Sequence, residues 1–181
     1  MPFSFKPLSI PGVILITPQV FPDDRGYFME SFKTSDFEKF NVPTHYVQEN
    51  FSFSKKNVLR GLHYQKAPKT QGKLVSVLKG GVWDVAVDIR RESNTYLKWV
   101  VAELDDQNHA MLYIPPGFAH GFIALTDGVH LQYKCTNEYA PESDTGIRWD
   151  DPDIAIPWPL DNPILSAKDE GLPLLKQAEF F

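Results

Sequence analysis

Residues 73–89 read KLVSVLKGGVWDVAVDI. Two runs that alternate with a period of two flank Gly80-Gly81, a pair suited to a tight hairpin turn. In the first run Lys73, Val75 and Val77 share one parity. In the second, Trp83, Val85, Val87 and Ile89 lie on one face, with Asp84 and Asp88 on the other. A side-chain period of two is the mark of β-strands. The same rhythm extends on both sides. Downstream, strands are expected over 96–104, 110–114, 119–125 and 129–135, punctuated by Asp105-Asp106, Pro115-Pro116-Gly117 and Asp127-Gly128. Upstream, 12–17, 26–32, 45–51 and 58–64 read as extended. Helix signals are few. Ser35 to Glu38 has the spacing of a capping box and predicts a short helix over 35–41. Ser166 could cap another over 166–171. Many short strands with closely spaced turns predict an all-β sandwich or barrel.

Composition agrees. A chain of 181 residues is the size of one domain. Its 15 prolines exceed the ~5% usual in globular chains and favour turns over long helices. The stretch from Pro141 to 181, rich in Pro, Asp and Trp, is expected to wrap the barrel's outside or mouth. Eighteen basic against 23 acidic residues give a net charge of −5. That balance argues against nucleic acid as a partner, which calls for a basic stripe. No apolar run approaches the ~18 residues of a membrane span, and the N-terminal apolar stretch is broken by prolines 2, 7, 11 and 18. The single cysteine, Cys135, excludes an internal disulfide and a Cys-based zinc cluster. Together these features make the cytoplasm the expected compartment.

The informative positions break the alternation. Tyr133 shares a parity with Val129, Leu131 and Cys135, so it points inward, while His130 points away. Taken alone, Tyr133 reads as a core tyrosine. Lys73 falls on the inward parity of Val75 and Val77 at a strand end. It is either a snorkelling rim lysine or a buried cation awaiting an anion. In 58–64, VLRGLHY, Arg60 and His63 sit among apolar residues around Gly61, and a glycine inside a strand marks a bulge or a close approach. The amides of Gln48 and Asn50 could read a nucleobase edge or pair with a neighbouring strand.

The runs FPDDRGYFMESF, QENFSFS, LRGLHYQ, QGKLVSVLKGGVWDVAVDIR, YIPPGFAHGF and GIRWDDPDIAIPWP, in this order, resemble the dTDP-4-dehydrorhamnose 3,5-epimerase family from about residue 10 to 175. PPGFAH also matches the second cupin motif, Pro-x-Gly-x-x-His. The resemblance implies a cupin-type jelly roll, a homodimer, and a single domain over 1–181 with an N-terminal arm over about 1–30. It implies inversion of C3 and C5 of dTDP-4-dehydro-6-deoxy-D-glucose to give dTDP-4-dehydro-L-rhamnose, on the route to cell-surface rhamnose, with no cofactor or metal. Both carbons flank a ketone, so each inversion passes through an enolate and needs a base, an oxyanion partner and an acid on the opposite face.

By the motif matches, His63 resembles the general base and Asp169, in SAKD, its orienting partner. Lys73 would stabilise the enolate oxygen, and Tyr133 resembles the acid. His120 resembles a substrate contact and Arg60 the pyrophosphate ligand. Gln48 and Asn50 resemble nucleotide contacts, and Lys168 a contact near the mouth. Arg25 and Glu30 resemble arm residues that reach a partner's site, with Phe21 and Phe28 as stacking surfaces. Asp144 stands where the family usually carries Glu, a shorter acid that keeps the charge and reaches less far. Three other readings compete. An epimerase acting at C3 only would share nearly all these residues. A metal-dependent cupin would need a His-x-His pair, and His63-Tyr64-Gln65 lacks its second ligand. A non-catalytic carbohydrate-binding jelly roll would explain the aromatics but not an inward Lys and Tyr with a His beside Arg.

Overall fold

The computed structural model describes residues 2–179. A turn at Gly80-Gly81 joins β7 (Lys73–Lys79) to β8 (Gly81–Asp88), but the expected hairpin does not form, because the two strands pair with other partners and enter different sheets. One sheet has six strands. Its order is β1 (Phe3–Pro7), β2 (Ile14–Pro18), β10 (Met111–Ile114), β7, β12 (Val129–Cys135) and β5 (Gln48–Ser54). The other runs β13 (Asp144–Gly146), β6 (Leu59–Gln65), β11 (Phe118–Ala124), β8 and β9 (Trp99–Asp105). Every registered pair is antiparallel. The two sheets face each other in the cupin-type jelly roll.

Between them lies a core built from Val75, Val77, Val82, Ala86, Leu112, Phe122 and Leu131, among others. Each fully buried side chain of this size contributes about 1.5–3 kcal/mol. Val82 and Ala86 face this core, and Asp84, on their parity, faces it too. The other face of β8, with Val85 and Val87, packs against a separate apolar layer that includes Ile147, Ile154, Trp158 and Leu175. The C-terminal segment therefore covers the outer face of the five-stranded sheet, which explains why β8 is apolar on both parities. The outer face of the six-stranded sheet is partly covered by α1 (Thr34–Phe37) and the turn after it, through Phe37 and Val42 on Ile16, Leu74 and Met111.

Three further expectations change. The helix near 35–41 exists, but it starts from an extended Lys33 with no side-chain cap, so the Ser35–Glu38 capping box is not formed. It is one α-turn followed by a 3-10 turn over Glu38–Phe40. The arm drawn at about 1–30 divides, because β1 and β2 are strands of the six-stranded sheet. Only the hairpin of β3 (Val20–Asp23) and β4 (Gly26–Met29) stands outside both main sheets. Finally, β13 is a short edge strand within the stretch from Pro141, for which no strand was expected. The second helix, α2 (Ala167–Glu170), is capped by Ser166 as expected.

Candidate active site

The bulge signalled by Gly61 shapes the site. His63 pairs with His120 and Arg60 with Phe122, so two residues lie between on β6 and one on β11. Strict alternation would send residues 60 and 63 to opposite faces. The extra residue returns both to the inner face, beside Phe122 of the core. A Cβ on Gly61 would sit 2.5 Å from the Gly121 Cα, so only glycine allows the strands to approach this closely.

His63 Nε2 lies 2.6 Å from Asp169 Oδ1. Burial pushes the Asp169 carboxyl up, but hydrogen bonds from His63 and Ser166 outweigh it and hold it below its ordinary value. An ionised carboxylate only accepts, so the ring donates Nε2–H and keeps Nδ1 as its basic nitrogen. Ser166 fixes the acid twice: its Oγ donates to Asp169 Oδ2 at 2.6 Å and accepts from the Asp169 amide at 3.1 Å. The helix cap thereby positions the carboxylate.

The facing sheet supplies Lys73 and Tyr133. Cys135 pairs with Lys73 and Tyr133 with Val75, placing all of them on the inner face. The Lys73 Nζ lies 5.7 Å from the centre of the Tyr133 ring. Burial holds the Lys73 ammonium below its ordinary value, with Cys135, Asp84 and Asp144 acting the other way. Burial raises the Tyr133 phenol, helped by Cys135 and Asp144, while Arg60 opposes. The sites thus share one electrostatic neighbourhood: His63 and Lys73 also act on His120.

Around these groups, Arg60 donates to Ser54 Oγ and to the Phe53 carbonyl. Gln48 donates to Asn50 Oδ1 at 2.9 Å, and Asn50 donates to Cys135 Sγ. Lys168 donates to Asp144 Oδ2, and Tyr139 donates to the same oxygen at 3.1 Å. Asp84 and Tyr139 were not among the candidates. Asp84 is wholly buried and accepts from His120 Nε2 at 2.9 and 3.1 Å. Its signal was present, a carboxylate on the parity of Val82 and Ala86, but both parities of the strand are apolar. Tyr139 follows a turn and carries no periodic signal.

Arg25, Glu30, Phe21 and Phe28 are not brought to this site by their own chain. Arg25 is 90% exposed at its side chain and binds Asp23 at 2.6 Å. Glu30 lies 4.0 Å from Lys33, and Phe21 faces Phe28 across the exposed hairpin. Among the described residues, no three His, Cys, Asp or Glu side chains group as metal ligands do.

Residues 7–177 match the family described as dTDP-4-dehydrorhamnose 3,5-epimerase. This chain belongs to that family. Its similarity to individual members runs end to end. It is 53% identical to the dTDP-4-dehydrorhamnose 3,5-epimerase of Escherichia coli over 91% of this chain and 90% of that one. It is 49% identical to that of Methanothermobacter thermautotrophicus over 97% and 96% of the two chains. It superposes with a TM-score of 0.93 on the Legionella pneumophila epimerase solved in complex with dTDP-4-keto-L-rhamnose, at 45% identity and 98% and 95% coverage.

Proposed function

We propose that this family member inverts C3 and C5 of dTDP-4-dehydro-6-deoxy-D-glucose by way of enolates, using side chains alone. The observation that carries this reading is the convergence of an imidazole, an ammonium and a phenol between the two sheets. His63 Nδ1 takes the proton as a C–H bond beside the ketone breaks. The electron pair moves onto the carbonyl oxygen, where Lys73 balances the charge. Tyr133 returns a proton to the opposite face, which inverts the carbon. Asp169 holds the imidazole tautomer and balances the imidazolium once it forms.

Arg60 is the proposed pyrophosphate ligand, since its planar fork suits phosphate oxygens. Gln48 and Asn50 are assigned to the nucleotide, Asp144 and Lys168 to the mouth, and His120 to the sugar. We assign the active assembly to a homodimer in which Arg25, Glu30, Phe21 and Phe28 are delivered to the partner's site. Their exposure on a projecting hairpin supports this, as do the outward Phe51, Phe53 and Leu78 on the six-stranded sheet. A single domain and a cytoplasmic setting fit the same reading. Among the described residues no helix is long and apolar enough to cross a membrane, and the buried, unpaired Cys135 thiol suits a reducing compartment.

The test is conversion of dTDP-4-dehydro-6-deoxy-D-glucose, followed by NMR with excess chelator present. The expected product is dTDP-4-dehydro-L-rhamnose, and His63→Asn should abolish turnover while dTDP still binds. A product inverted at C3 alone makes the chain a 3-epimerase. Activity that vanishes with chelator, or survives in His63→Asn, refutes the proposed chemistry.

A further inference from the structure

The site contains two His–carboxylate pairs, and the reaction as proposed uses only one carboxylate. His63 and His120 are direct partners across β6 and β11. Asp169 approaches His63 from α2, whereas Asp84 approaches His120 from β8 inside the core. Asp84 is 0% exposed and His120 6%. Burying a carboxylate this completely is costly unless it is paired and hydrogen-bonded. The His120 ring is its hydrogen-bond partner, with Nε2 within 3.1 Å of both carboxylate oxygens. Lys73, across the core on the other sheet, is buried, makes no hydrogen bond of its own among the described residues, and lies 5.7 Å from the centre of the Tyr133 ring.

Resting on the epimerase reading, we propose that Asp84 is a positioning residue with two tasks. It pins His120 with its proton on Nε2, so that Nδ1 is presented as a hydrogen-bond acceptor. It also supplies the fixed negative charge opposite the Lys73 ammonium before the enolate forms. Asp84 never touches the reacting atoms and acts through the two groups that do.

The electrostatics agree. Burial lowers His120 below its ordinary value and keeps the ring neutral, with Asp84 opposing and Lys73 and His63 reinforcing. A neutral ring donating from Nε2 must accept at Nδ1. The groups facing Lys73 come from three further elements and a neighbouring strand residue: Cys135 on β12, Asp84 on β8, Asp144 on β13 and Lys168 on α2. Of the two carboxylates, Asp144 is already bound by Lys168 and Tyr139. Asp84, buried in the core on the sheet facing Lys73 and bonded to a neutral ring rather than to a cation, is the carboxylate left to balance the Lys73 ammonium.

Two measurements test this, and the first needs no turnover. In wild-type protein with 15N-labelled imidazoles, the His120 resonance, assigned by its loss in His120→Gln, should report a neutral ring protonated on Nε2 from mildly acid to mildly alkaline pH. A His120 ring protonated on Nδ1, or one titrating at its ordinary 6.5, overturns the proposal. The second is the pH profile of Asp84→Asn. With the counter-charge removed, the alkaline limb of kcat should move down by about one pH unit, and dTDP should bind within about threefold of wild type. A profile that superimposes on wild type, with activity lost only in step with melting temperature, overturns it. If Asp84→Asn does not fold, the wild-type imidazole spectrum decides alone. Failure of the epimerase reading is seen separately, as wild-type protein that leaves the keto-sugar unchanged.

Discussion

His63 keeps Nδ1 as its basic nitrogen because Asp169 occupies Nε2 at 2.6 Å. That division of the ring follows from a carboxylate that can only accept, and it sets the direction of the chemistry. Lys73 and Tyr133 are tuned oppositely by the same burial: the ammonium is pushed down from 10.5 and the phenol up from 10.0. Both must be protonated to act. As pH rises, burial brings forward the loss of the Lys73 proton and delays that of Tyr133. The alkaline limb of kcat should therefore fall below pH 10.5 and report an ammonium. Its heat of ionisation, read from the temperature dependence of that limb, should be that of an amine; a phenol-like value would contradict the assignment. Lys73 and Tyr133 were legible in the sequence because each sits on a clear inward parity. Asp84 was not, because both faces of its strand are apolar and its partner is far along the chain.

At the level of elements, a bulge and a helix cap aim the residues. The bulge at Gly61 lets Arg60 and His63, three positions apart, face the same cavity. With φ at +132° and a Cβ 2.5 Å from the Gly121 Cα, Gly61→Ala should lose roughly 3 kcal/mol in denaturant unfolding, combining backbone strain with overpacking. Ser166→Ala should lose only about 1 kcal/mol as a cap. Its kcat should nevertheless fall by more than ~10-fold, because Asp169 loses the hydroxyl that orients it. A kcat that follows the small stability loss would show that the cap does not position the acid. The run 73–89 disclosed its strands and its turn, and Gly61 disclosed a bulge. The Ser35–Glu38 spacing misled, since a four-residue helix packed by Phe37 into an apolar layer needs no side-chain cap. The edge strand β13 is three residues long, too short for any period to show.

For the whole molecule, the fold brings together groups that lie 106 positions apart in the chain, as it does His63 on β6 and Asp169 on α2. The sandwich was legible as many short alternating strands, whereas the assignment of β7 and β8 to different sheets depends on long-range pairing that no local pattern encodes. The N-terminal hairpin leaves Tyr27 59% and Phe28 67% exposed. Sedimentation of the wild type should give a dimer. Phe28→Asp should weaken substrate use while His63, Lys73 and Tyr133 remain in place. A monomer with full activity would remove the hairpin from the site. The claim beneath all of this is that one carbon acid after another is deprotonated on one face and reprotonated on the other. Turnover of dTDP-4-dehydro-6-deoxy-D-glucose in heavy water measures that directly. Deuterium from solvent should appear at both C3 and C5 of the product. Product formed with solvent deuterium at neither carbon would contradict the account.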